Sequence, residues 1–103
     1  MDLTYCKSQR RKARANLRNY LVANLDSVLE EFDLEPISKN EMKNMSAINF
    51  SNWVMNNAQD IFKKRNSEDL INYDIIDLVA EFICCENNVT IAESENNPSL
   101  DIM

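Results

Sequence analysis

Over residues 8–33 the apolar side chains Ala13, Leu17, Tyr20, Leu21, Leu25, Val28, Leu29 and Phe32 return every three or four positions, with charged and amide residues between them. That period is one face of an amphipathic helix. It predicts a first helix over about 8–33, ended before Pro36. The next run opens on Ser38-Lys39-Asn40-Glu41, a capping box in which the serine oxygen accepts the backbone N–H three residues on and the glutamate reaches back. From there to residue 65 no glycine or proline intervenes, and Met42, Met45, Ile48, Phe50, Trp53, Val54, Ala58, Ile61 and Phe62 keep a helical spacing. A second helix is therefore predicted over about 38–65, with a kink or split near 46–49, at Ser46 and Asn49, as the alternative. Leu70 and Ile71 form a short extended piece before Asn72, an N-cap for a third helix over about 73–86, with Asp74 in its first turn. Ile75, Ile76, Val79, Phe82 and Ile83 make its apolar face. Beyond residue 86 the composition turns to Glu, Asn, Ser and Pro98, which bury too little surface to offset the entropy of ordering. A disordered acidic tail over 87–103 is expected, with Val89 and Ile91 able to pack locally.

The pattern is all-α, in the order medium, long, short, with an N-terminal arm over 1–7 and one domain over 8–86. Its second helix is too long for the chain. Twenty-eight helical residues make a rod of about 42 Å, whereas a globule of this length is about 33 Å across. If the apolar stripe continues along the projecting part, a partner must cover it.

Composition narrows the chemistry. The 103 residues contain no histidine and no glycine, which excludes an imidazole base, a Cys/His zinc motif, a catalytic triad and a phosphate-cradling glycine loop. Cys6, Cys84 and Cys85 are odd in number, and two of them are adjacent, so they read as reduced thiols and not as metal ligands. No apolar stretch reaches the length needed to cross a bilayer, and the N-terminus lacks a signal-peptide apolar region, so a soluble intracellular protein is expected. The acidic positions Asp74, Asp77 and Glu81 share a face of the third helix and read as solvated. No cofactor, metal or catalytic residue is expected.

Net charge is −6, unevenly spread: residues 1–19 carry Lys7, Arg10, Arg11, Lys12, Arg14 and Arg18 against Asp2, a net +5, and residues 20–103 carry −11. A basic end on an acidic body points to an anionic partner such as nucleic acid. For a helix starting at residue 8, cations in the first turns oppose the dipole, so they are not there for helix stability. Lys63, Lys64 and Arg65 sit favourably at the far end of the second helix.

Gln9-Arg10-Arg11-Lys12-Ala13, Ile37-Ser38-Lys39, the stretch 58–62, and Ile71-Asn72 followed by 74–80 resemble the histone-fold superfamily, and within it the centromere protein S family, over about 9–84 with a one-residue gap in helix two. The resemblance implies a head-to-tail heterodimer with a centromere protein X-like histone-fold partner. It implies nuclear localisation, no enzymatic activity, and duplex DNA binding at centromere or kinetochore or in the repair of stalled forks. DNA-contact candidates are then Lys7, Arg10, Arg11, Lys12, Arg14, Arg18, Lys63, Lys64 and Arg65. Partner-facing candidates are Phe50, Trp53, Val54, Ile61, Phe62, Leu70, Ile71, Ile75, Val79 and Phe82. The chain departs from the family pattern at Ser67-Glu68-Asp69, where two carboxylates would repel phosphate. Two other readings stand beside this one: an acidic histone-fold pairing module of a transcription or chromatin complex that makes no DNA contact, and a small helical bundle, a regulatory adaptor or viral protein, with helix two broken near Ser46.

Overall fold

A computed structural model describes residues 1–95 and is all helical there: α1 (Leu3–Ala23), α2 (Leu25–Glu31), α3 (Lys39–Asn44), α4 (Ala47–Phe62) and α5 (Asp74–Glu95). The all-α expectation holds, but the long rod over 38–65 does not. Met45 (ψ 136°) and Ser46 (φ −62°, ψ 161°) are extended, and they divide it into α3 and α4. Each side of the break has its own cap. Ser38 Oγ accepts the Glu41 N–H at 3.0 Å, and Ser46 Oγ accepts the Asn49 N–H at 3.1 Å. At the end of α3 the Arg18 guanidinium donates to the carbonyl oxygens of Met42 (3.0 Å) and Met45 (2.8 Å), groups that a helix C-terminus leaves without partners.

The first helix is also redrawn. Asp2 caps it by accepting the Thr4 N–H at 3.0 Å, so residues 3–7, expected as an arm, are its first turns. With the start moved back to Leu3, Arg10 and its neighbours lie beyond the first turn and no longer oppose the helix dipole. At the other end the Asn24 side chain and its own backbone N–H both donate to the Tyr20 carbonyl at 3.0 Å, and Asn24, at φ −125° and ψ 25°, separates α1 from α2. The chain then stops in a Schellman motif: the Asp33 N–H bonds to the Glu30 carbonyl, the Leu34 N–H to the Leu29 carbonyl, and Asp33 stands at φ 54°. Lacking glycine, the chain uses Asp, one of the residues that tolerate this region best.

The third helix extends beyond its expected end at residue 86. α5 runs through Glu95, because Val89 and Ala92 continue the apolar stripe of Phe82 and pack with Cys6 and Leu3. Residues 96–103, the remainder of the expected tail, lie outside the described residues. α1 and α5 are antiparallel over their full length. The Met1 ammonium meets Glu95 at 2.7 Å, Arg10 meets Glu86 at 3.6 Å, and the Tyr20 hydroxyl donates to Asn72 Oδ1 at 3.0 Å. α4 lies against α5 with Phe50 and Phe82 edge-to-face, ring centroids 5.6 Å apart. Leu17, Leu21, Leu25, Val28 and Phe32 complete one core with Met42, Val54, Ile61, Ile75 and Val79. The body measures 48 × 30 × 23 Å, and its longest helices lie within it instead of projecting.

Asn72 is not an N-cap. It is 5% exposed, and its amide donates to Ser27 Oγ (2.8 Å) and Glu31 Oε1 (2.9 Å) while accepting from Tyr20. The Glu31 carboxylate also takes the backbone N–H groups of Ile71 (2.7 Å) and Asn72 (2.9 Å), which ties the loop between α4 and α5 to α2. Burial pushes the Glu31 carboxyl up, but the Ile71 and Asn72 donors and the Lys64 ammonium outweigh it and hold the group below its ordinary value of 4.5. A depressed carboxyl contributes stability that is present above its unfolded pKa and is lost as pH falls through the folded one. Glu31→Gln should therefore cost about 1–2 kcal/mol at neutral pH. The deficit should shrink as pH drops below 4.5, read as urea midpoints across pH; a deficit constant with pH would contradict the role assigned to the carboxylate.

Candidate functional site

Of the ten partner-facing candidates, Phe50, Val54, Ile61, Ile75, Val79 and Phe82 have no exposed surface. They were chosen by their helical spacing, and that spacing is satisfied inside the chain's own core. Trp53, Phe62 and Leu70 are half-buried against the same core. Ile71 alone of the ten is exposed, at 73%. Met42 is core, Met45 half-buried and Met55 42% exposed.

The nine cation candidates do not form one surface. Lys63, Lys64 and Arg65 follow α4, where Lys63 pairs with Asp60 at 3.7 Å and the Lys64 ammonium donates to the Glu31 carbonyl. The other six lie on α1, where Tyr20, past the last of them, bonds to Asn72 in the loop that follows α4. Within α1 the arginines at 10, 14 and 18 recur every four residues and are half-buried. Arg18 serves the α3 carbonyls and stacks on the Phe50 ring, with its guanidinium carbon 4.5 Å from the ring centroid. Arg10 pairs with Glu86. Arg14 has neither an ion pair nor a hydrogen bond among the described residues, and the Nε atoms of Arg10 and Arg14 are both buried without a partner. Burial lowers the Arg14 pKa, and the like charges of Arg10, Arg18 and Arg11 add to this against the attraction of Glu86. Lys7, Arg11 and Lys12 are exposed and unpaired among the described residues.

Three surface hollows accompany these groups. One of about 170 Å³ lies between α1 and the start of α4, lined by Arg10, Ala47, Ile48, Ser51, Asn52 and Glu86, and Ile48 stands 75% exposed at it. A groove of about 610 Å³ between α3 and α4 is walled by Asn40, Asn44, Asn49, Asn52 and Asn56 over Met45 and Trp53. A third, of about 630 Å³, runs along Met55, Ala58 and Phe62 to Lys63 and Arg65.

Cys6 is buried, Cys84 exposed and Cys85 half-buried, all as free thiols. Burial pushes the Cys85 thiol up, helped by Cys84 and Glu81, which works against reactivity as a thiolate. Asp74, Asp77 and Glu81 are exposed. Among the described residues no three His, Cys, Asp or Glu side chains converge on a possible metal position, and no helix is long and apolar enough to cross a membrane. The groups that sequence reasoning missed are Arg18 as a strut, and Glu31 with Ser27 and Tyr20 as the cradle of Asn72. Tyr20, Ser27 and Glu31 sit seven and four residues apart, a polar row beside the apolar stripe, and this was the one local signal for the cradle. No protein-family model matches the chain, and no match to it was found among curated proteins or among solved structures.

Proposed function

We propose that this protein is a self-contained helical interaction module, a non-enzymatic adaptor that binds another macromolecule through its surface and does not need a partner to complete its core. The observation that carries this reading is the complete burial of Phe50, Val54, Ile61, Ile75, Val79 and Phe82 within the chain itself. A half-fold that relies on a partner leaves such residues open to it. The non-enzymatic part rests on the missing histidine and glycine.

The chain alone should run as a monomer of 12.0 kDa by light scattering and melt in one cooperative transition. A chain that is unfolded or aggregated until a second small subunit is added overturns the reading. Salt dependence of duplex DNA binding addresses the arm. Three exposed cations, Lys7, Arg11 and Lys12, allow a slope of log K against log salt of about −3. All six cations on phosphate would require about −5, and a slope that steep would return the DNA-binding reading.

A nuclear histone-fold subunit paired with a centromere protein X-like partner on duplex DNA is less well supported. It asks α3 and α4 to straighten into one rod across Met45 and Ser46, against the caps on both sides of that break.

A further inference from the structure

We infer that the flank of α1 carrying Lys7, Arg11 and Arg14, together with Ile48 at the hollow of the neighbouring Arg10, is the docking surface for an acidic amphipathic helix of another protein. The inference rests on the adaptor reading above and gives the chemistry of its partner.

Lys7, Arg11 and Arg14 stand at i, i+4 and i+7, the spacing that keeps one seam of a helix turned towards a neighbouring helix. At about 1.5 Å per residue the successive rungs are about 6 Å and 4.5 Å apart along the axis, and carboxylates at the same intervals on a helix lying alongside meet them rung for rung. The cations are available: Lys7 and Arg11 are exposed, and none of the three has an ion pair among the described residues. Arg14 goes further, since its Nε is buried with no acceptor. That nitrogen is out of a partner's reach, but the terminal nitrogens of the half-buried guanidinium are not among the buried atoms, and a carboxylate brought by a partner can meet them with a charge-assisted bond.

The apolar component selects a protein over a nucleic acid. Ile48 is 75% exposed at the hollow of about 170 Å³ that it shares with Ala47 and Arg10. An amphipathic helix can place an aliphatic side chain there, whereas a phosphodiester backbone has nothing apolar to offer. Glu86 lines the same hollow and already holds Arg10. It therefore keeps a second carboxylate out of the hollow and directs the partner's acids to Arg14, Arg11 and Lys7. The rest of the chain, net −11 over residues 20–103, disfavours an acidic partner over most of its surface and so favours this flank.

The test titrates the full chain, at low ionic strength, into a fluorescently labelled helical peptide three heptads long. The peptide carries Glu at i, i+4 and i+7 beside a Leu seam, and comparisons are made with the same peptide bearing Gln and with a short labelled DNA duplex. The Glu peptide should bind at least about tenfold tighter than the Gln peptide. Lys7→Glu with Arg11→Glu should abolish that preference while melting like the wild type, and Ile48→Ser should weaken both peptides several-fold. Equal binding of the two peptides, no binding of either, a preference that survives the double charge reversal, or a duplex that binds tighter than the Glu peptide overturns the inference. A chain that is not a folded monomer before any peptide is added overturns the adaptor reading instead, so the two failures are distinguishable.

Discussion

Phe50→Ala should destabilise the isolated chain by about 4 kcal/mol, the range measured when a large buried aromatic is truncated. Phe50 has no exposed surface, meets Phe82 edge-to-face at 5.6 Å and carries the Arg18 guanidinium on its face at 4.5 Å. Its removal loses the transfer energy of the ring, leaves a cavity and breaks both contacts at once. Since small domains are stable by only about 5–15 kcal/mol, the variant should lose a large share of its stability, with a urea midpoint far below that of the wild type. The same substitution divides the two architectures. In a chain whose Phe50 waits for a partner, truncating it would leave the unpaired chain almost as stable as before and would damage only the complex. A wild-type-like melt of Phe50→Ala would therefore count against the closed core described above.

What the sequence made legible was periodicity, and what it hid was closure over long distances. The apolar positions of α1, α2, α4 and α5 follow the helical spacing, and Ser38 Oγ caps α3, which is the serine half of the expected capping box. The same spacing cannot tell which surface will cover a stripe. Phe50 and Val54 read equally well as partner-facing until α5 is seen to return along α1 and lie under them. The break at Met45 and Ser46 is a similar case. Ser46 and Asn49 were visible as mild interruptions, but an arginine 24 residues before Met42 supplies the carbonyl partners that hold the break open. No local signal encodes that contact. The tail was misread for a different reason. Composition after residue 86 argues for disorder, whereas Val89 and Ala92 continue the stripe of Phe82 and find Cys6 and Leu3 across the seam. Two apolar side chains in register outweighed the polar average. Among the site residues, the sequence shows six cations within residues 1–19, with Lys7 expected in an arm that is instead part of α1, but the count does not reveal that Arg18 and Arg10 are engaged inside the fold while Lys7, Arg11 and Lys12 remain at the surface.

Arg18→Ala should cost about 3 kcal/mol. The guanidinium makes two charge-assisted hydrogen bonds, to the Met42 and Met45 carbonyls at 3.0 and 2.8 Å, and each such bond contributes about 1.5–3 kcal/mol where it is sheltered from water. Partial exposure places the pair near the low end, and the stacking on Phe50 adds about 0.5–1 kcal/mol. Relief of repulsion from Arg14, four residues earlier, offsets a little of this. For a domain of this size a loss of that order lowers the melting temperature by about 12–24 °C. Arg18→Lys should recover less than half of it, because a single ammonium cannot bridge two carbonyls and lie flat on a ring at once. Arg11→Ala, on the same helix but exposed, should stay within about 0.5 kcal/mol of the wild type. Thermal melts of the three variants separate a strut from a phosphate contact. If Arg18 only met DNA, all three would melt together and differ in DNA affinity alone, whereas a cation that holds the end of α3 against α1 makes Arg18→Ala the least stable, with Arg18→Lys between it and the wild type.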